Sequence, residues 1–204
     1  MDSKKLSMAE LKKLSRNWAK EINALYTPDL VVFIAKSGFI IAKEFSEFFN
    51  VPLQEIAAHR QGGNLRKYLA PIFSKFPLAL RNSIVGNPIM YKINGRNDER
   101  NIEVSPQLQA CAEEKIYKKI LLIDDSIDTG WTFKQVFEEM RRLFPESEIR
   151  TLALIRMHYA KERFDVDFAL YEDTLLLTPA QVDHEEHASF IEDYNHWRRN
   201  TLNI

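Results

Sequence analysis

The sequence predicts an α/β fold: a mostly parallel five-stranded sheet flanked by helices. Three observations carry the prediction. Unbroken apolar runs at 30–35 and 119–124 have the composition of strands covered on both faces. Amphipathic stripes with helical spacing separate such runs. The alternation of strand and helix then implies crossover connections and parallel pairing.

Taken in order, Leu11, Leu14, Trp18, Ile22 and Leu25 recur every three or four residues and predict a helix over 6–25. Pro28 and Asp29 interrupt it, and strand one follows at 30–35. Lys36-Ser37-Gly38 is a tight polar turn. Ile40, Ile41, Phe45, Phe48 and Phe49 form the next helical stripe, and 51–58 is strand two. Residues 60–118 break the pattern with Gly62-Gly63, Pro71, Pro77, Pro88, Asn94-Gly95 and Pro106. A structureless connection that long is unusual, so this stretch reads as a partly ordered insertion. Beyond it, 119–124 is a strand, 125–130 a loop, and 132–144 a helix closed by Pro145; 149–156 and 168–171 complete the sheet. The 204 residues suit a single domain, 1–204.

Composition narrows the function classes. With 28 Lys+Arg against 29 Asp+Glu, the net charge of -1 lacks the basic footprint that non-specific nucleic-acid binding needs. The neutrality is a sum of opposites, since 60–100 carries eight basic and two acidic residues and 160–194 two basic and ten acidic. One cysteine, Cys111, excludes an intrachain disulfide framework. Apolar runs are far too short for a membrane span, and the opening MDSKKLSMAELKK lacks the apolar core of a signal peptide. The expectation is a soluble cytoplasmic protein.

The sharpest chemical signal is the run from Ile120 to Thr132, ILLIDDSIDTGWT. A buried strand delivers Asp124 and Asp125 to its C-terminal edge, where ligands of open α/β sheets bind. A glycine-containing loop then enters a helix, and the backbone N–H groups there, with the Thr129 and Thr132 hydroxyls, form an anion cradle. Gly130 permits close backbone approach to a phosphate. Adjacent carboxylates accept hydrogen bonds from a vicinal diol or hold hydrated Mg²⁺. Such a site asks for a sugar diol at one end of the ligand and a phosphate at the other.

This run resembles the phosphoribosyl-pyrophosphate (PRPP) signature of the type I phosphoribosyltransferases. The resemblance implies that Asp124 and Asp125 bind the ribose 2- and 3-hydroxyls, touching any metal indirectly. It implies that Asp128, Thr129, Gly130 and Thr132 wrap the 5-phosphate, with Ser126 and Ile127 contributing backbone, and that Asp128 serves as acceptor base. The catalytic candidates are therefore Asp128, Asp124 and Asp125. Ile34-Ala35-Lys36-Ser37-Gly38 resembles the family's pyrophosphate loop, with Ala35, Lys36, Ser37 and Gly38 holding the leaving group and Arg60 a further ligand. The family also implies Mg²⁺, a lid within the insertion after strand two, a C-terminal hood and helix over 172–204, and a homodimer.

The acceptor half departs from the family pattern. Where xanthine-guanine-type hoods carry Trp and then Pro-Trp-Glu, this chain has Leu175 and Pro179-Ala180-Gln181. A nucleobase remains the first acceptor by family habit; a sugar or other non-base acceptor is second. A regulatory module that binds PRPP or a nucleotide without turnover is the rival from another class.

Plainer readings stand beside these. Asp124-Asp125 alone could be a strand-end acidic cluster. Asp128-Thr129-Gly130 spells the aspartic-protease triplet, but only one copy occurs and the pattern is not all-β. His184 and His187 lie three apart and read as a solvated acidic helix start rather than a metal site. Tyr194, Trp197 and Arg198-Arg199 read as a packing helix with a charged end, and Cys111 as an ordinary thiol.

Overall fold

The structure, a computed structural model, describes residues 3–60, 100–114 and 116–202. Its strands are β1 (Ser3–Lys5), β2 (Leu30–Ala35), β3 (Leu53–Arg60), β4 (Arg100–Val104), β5 (Lys119–Ile127), β6 (Glu148–Arg156), β7 (Phe168–Glu172) and β8 (Leu175–Leu177). Its helices are α1 (Met8–Asn23), α2 (Phe39–Phe49), α3 (Pro106–Glu114), α4 (Trp131–Leu143) and α5 (His187–Thr201), with a 3-10 turn at His158–Glu162.

Six strands form the main sheet in the order β4-β3-β2-β5-β6-β7. The pairs β2–β3, β2–β5, β5–β6 and β6–β7 are parallel. Alternation along each strand divides the core. Val31, Phe33, Leu121 and Ile123 pack with α1, α2 and α5, including Trp18, Phe45 and Phe190. Leu30, Val32, Ile120 and Leu122 pack on the other face with Leu108 of α3 and Phe133, Val136 and Met140 of α4. Both faces being covered is why these strands read as unbroken apolar runs.

Helix ends follow local chemistry. Ser7 and Glu10 form a reciprocal cap at the start of α1, each accepting the other's backbone N–H. Asn50 closes α2 in the left-handed conformation, its N–H donating to Ser46 O.

The five predicted strands are all present, and the sheet gains a sixth. Within the expected insertion, 60–118, Arg100–Val104 is an edge strand and Pro106–Glu114 a helix on the sheet. Pro106 opens α3, where its missing N–H costs nothing; in sequence it had read as a breaker. The turn at Asn94-Gly95 and the remaining prolines of the insertion lie outside the described residues.

Compactness divides the chain into Met1–Ala58 with Ile102–Ile204 as one unit and His59–Asn101 as another. Of the latter, only His59, Arg60, Arg100 and Asn101 fall among the described residues. A separate two-stranded sheet pairs β1 with β8 in parallel, joining the N-terminal segment to the C-terminal region. Among the described residues no helix is long and apolar enough to cross a membrane.

Candidate active site

The order of the strands reverses between β2 and β5, which makes the C-terminal ends of these two strands the place where an open sheet binds ligands. Register levels Phe33 with Ile123, so the turn leaving β2 lies beside Asp124 and Asp125. The Ser37 hydroxyl donates to Asp124 Oδ1 at 2.9 Å, and the same oxygen accepts the Asp125 N–H at 2.8 Å. The Ala35–Lys36 peptide is cis. Gly38 is fixed by proximity rather than conformation, since a Cβ there would stand 2.9 Å from Ile123 O and 3.1 Å from Asp124 Cα.

Asp124 is buried, and Asp125 half-buried with the Ser126 hydroxyl donating to its Oδ1 at 3.2 Å. Burial first, and then the charge of Asp125, hold the Asp124 carboxyl well above the usual carboxylate range. Burial also raises Asp125. An uncompensated acid pair of this kind calls for a cation or several hydroxyl donors.

Beyond the pair, the sequence reading needs one correction. Asp125, Ser126 and Ile127 continue β5 rather than opening a loop, because Ser126 and Ile127 pair with Ile155 and Arg156. Ile127 is buried in the core and its carbonyl accepts the Met157 N–H, so its side chain belongs to packing. The loop is only Asp128–Gly130. Gly130 has φ 79 and caps α4, and a Cβ on it would meet Ala160 O at 3.1 Å. Both left-handed conformation and close approach require glycine there. Gly130 thus sets the start of α4, whose first turn holds Thr132.

Two residues of this site escaped the sequence reading. Tyr159, in the turn after β6, donates its hydroxyl to Asp128 Oδ1 at 2.6 Å. Arg163 donates from Nη1 to Thr129 O at 2.7 Å and stacks over the Trp131 ring at 4.3 Å. The available signal was topological: β6 is parallel to β5, so whatever follows Arg156 must emerge at the same edge as Asp128.

With this geometry in place, comparison assigns the family. Residues 6–172 match the family model described as "Phosphoribosyl transferase domain". This chain belongs to the phosphoribosyltransferase family. Its activity class is that of a PRPP-dependent phosphoribosyltransferase. Among solved structures, it is similar to a purine phosphoribosyltransferase from Pyrococcus horikoshii Ot3, with 19% identity and a TM-score of 0.60 over 88% of this chain and 94% of that one. It is similar to the Helicobacter pylori xanthine-guanine-hypoxanthine phosphoribosyltransferase, at 15% identity and TM-score 0.59, over 92% and 98% of the two chains. A Neisseria gonorrhoeae protein with bound ppGpp matches at 16% identity and TM-score 0.57, over 95% and 98%. At these identities the solved structures speak for the fold. No curated protein sequence matches this chain.

The remaining sequence candidates lie on β3, α3, α5 and the turn before α5. Arg60 closes β3, and its side chain lies outside the described residues. His184 is buried in the turn before α5, neither helical nor solvated, with Nδ1 accepting the Glu186 N–H at 3.0 Å. Among the described residues no group of three or more potential metal ligands occurs. Tyr194 and Trp197 pack against Phe33 and Phe39, and Arg198 pairs with buried Glu55 at 2.9 Å, which makes α5 a structural element. Cys111 is buried, and burial raises its thiol pKa.

Proposed function

We propose that this chain transfers the 5-phosphoribosyl group of PRPP to a nucleobase and releases pyrophosphate. The observation that carries the reading is the Ser37–Asp124 contact, which joins the turn after β2 to the acid pair of β5 at the switch point. Asp124 and Asp125 accept hydrogen bonds from the ribose hydroxyls. Thr129, Gly130 and Thr132 receive the 5-phosphate. Ala35, Lys36, Ser37 and Gly38, with Arg60, hold the pyrophosphate. The C1–O bond breaks with its electron pair going to pyrophosphate, and the acceptor nitrogen bonds to C1 from the opposite face. Its proton passes to Asp128, whose carboxylate Tyr159 already orients. Most of the barrier reduction comes from positioning and from stabilising the leaving anion.

The donor set suits Mg²⁺ held at one remove. Two adjacent carboxylates with raised pKa values favour a cation, while no third protein ligand joins them among the described residues. Asp124 and Asp125 would hold Mg²⁺ indirectly, and the ion would supply charge neutralisation for the leaving pyrophosphate. The same reading takes the chain as one cytoplasmic domain, 60–118 as its lid-bearing insertion, 172–204 as its hood, and the active form as a homodimer.

The likeness to the Pyrococcus purine and Helicobacter xanthine-guanine-hypoxanthine phosphoribosyltransferases supports a nucleobase over a sugar acceptor. A second reading, nucleotide binding without turnover, draws on the Neisseria neighbour with bound ppGpp. The test is pyrophosphate release from PRPP and Mg²⁺ with a panel of nucleobases and sugars. Release with a base supports the transferase reading. PRPP binding with no release under any acceptor supports the binding module.

A further inference from the structure

The turn after β6 touches the phosphate loop almost residue by residue. Tyr159 reaches Asp128, Ala160 O lies against Gly130, and Arg163 reaches Thr129 O and the Trp131 ring. Phe164 stacks on Phe133 of α4 with centroids 5.6 Å apart. At its start, the turn is anchored by Asp173, whose Oδ1 accepts the His158 N–H at 2.9 Å.

We propose that Arg163 is a positioning residue for the phosphate loop, holding 129–132 in the shape that receives the 5-phosphate; this rests on the PRPP reading above. A trans peptide points its carbonyl and the following N–H in opposite directions. Pinning the Thr129 carbonyl to Arg163 therefore aims the Gly130 N–H away from Arg163, into the loop's mouth, and keeps a repulsive carbonyl oxygen from facing the anion. Trp131 supplies the flat platform that orients the guanidinium. The indole Nε1–H of Trp131 is buried without a hydrogen-bond partner among the described residues, so the stack and packing fix this ring. Lysine, a compact ammonium without a planar face, cannot reproduce the stack and the hydrogen bond together. Among the described residues no carboxylate pairs with the Arg163 side chain, so its charge adds to the positive N-terminus of α4.

The test is calorimetric titration of the full chain with ribose 5-phosphate and, separately, with inorganic pyrophosphate. Arg163→Gln is expected to weaken ribose 5-phosphate binding by about tenfold or more while pyrophosphate binding holds within about twofold. Arg163→Lys is expected to lose less, and Arg150→Gln, far along β6, to lose nothing on either ligand. Wild-type affinity for ribose 5-phosphate in Arg163→Gln overturns the proposal, as does an equal loss for both ligands. Should the Gln variant fail to fold, the Lys variant decides, with unchanged ribose 5-phosphate affinity overturning the assignment. Wild-type protein that binds neither ligand overturns the PRPP reading itself, and this proposal with it.

Discussion

The Tyr159 hydroxyl stands 2.6 Å from Asp128 Oδ1, a contact between the turn after β6 and the loop after β5. A carboxylate held in this way is oriented before any acceptor arrives. Asp128→Asn is expected to lower pyrophosphate release by about 10²–10⁴-fold, the range for a lost acid–base group, and Asp125→Asn by a similar factor. Tyr159→Phe keeps Asp128 and the ring, so the expected loss in kcat is only about tenfold. Steady-state assays with saturating PRPP check all three; near-wild-type turnover in both Asp variants would remove the assignment.

Asp124 sets activity against stability. Its folded pKa lies above that of the unfolded carboxyl because burial and Asp125 disfavour its charge. Between those two values the folded state binds more protons, so stability falls as pH rises through that window. Asp124→Asn retains an oxygen for the Ser37 hydroxyl and the Asp125 N–H while removing the buried charge. The expected outcome at pH 7 is a Tm at least about 2 °C higher, together with lost turnover. The Tm gain should shrink toward about pH 4, where the unfolded carboxyl also takes its proton. A lower Tm for the variant at neutral pH would contradict this.

Gly38 is a packing requirement of the site. A methyl group there meets backbone, Ile123 O at 2.9 Å, which no rotamer change relieves. Gly38→Ala is expected to destabilise the fold by about 1–3 kcal/mol and to displace the turn carrying Lys36 and Ser37. Urea unfolding and the KM for PRPP measure the two effects.

On the sheet face covered by α2 and α5, buried Glu55 is held by the Tyr194 hydroxyl at 2.7 Å and by Arg198 at 2.9 Å. Arg198→Met strands a buried carboxylate with one remaining side-chain donor, and the expected loss is about 2–4 kcal/mol. Tyr194→Phe leaves the ion pair and is expected to cost about 1 kcal/mol. Chemical denaturation distinguishes them; equal losses would mean that the charge of Arg198 adds nothing beyond what one hydrogen bond to Glu55 supplies.

The acid pair at a strand end and the glycine before a helix were legible because they are local. Strand, acid pair, glycine and helix start fall within one uninterrupted run, and each residue type there answers a backbone or ligand requirement. The loop expected from Asp125 onward opens only at Asp128, because hydrogen bonding to β6 continues past the acid pair to Ile127, which no local pattern reports. Strand β4 and helix α3 were hidden by Pro106, which reads as a breaker until its place in the first helical turn is seen. His184 looked solvated beside Glu185 and Glu186, yet the turn into α5 buries its ring. Tyr159 and Arg163 carried no motif at all.

By itself the sequence determined the layered parallel sheet, the acid pair at a strand end and the glycine that opens the helix after it, because periodicity and turn chemistry act over a few residues. Tertiary structure alone decided the partnerships: Ser37 on Asp124 across 87 positions, Arg163 on Thr129 across 34, Tyr159 on Asp128 across 31. These follow from β5 lying between β2 and β6. Strand order is settled by the burial of whole faces, not by any one segment, and it gathers three separate strand ends at one edge.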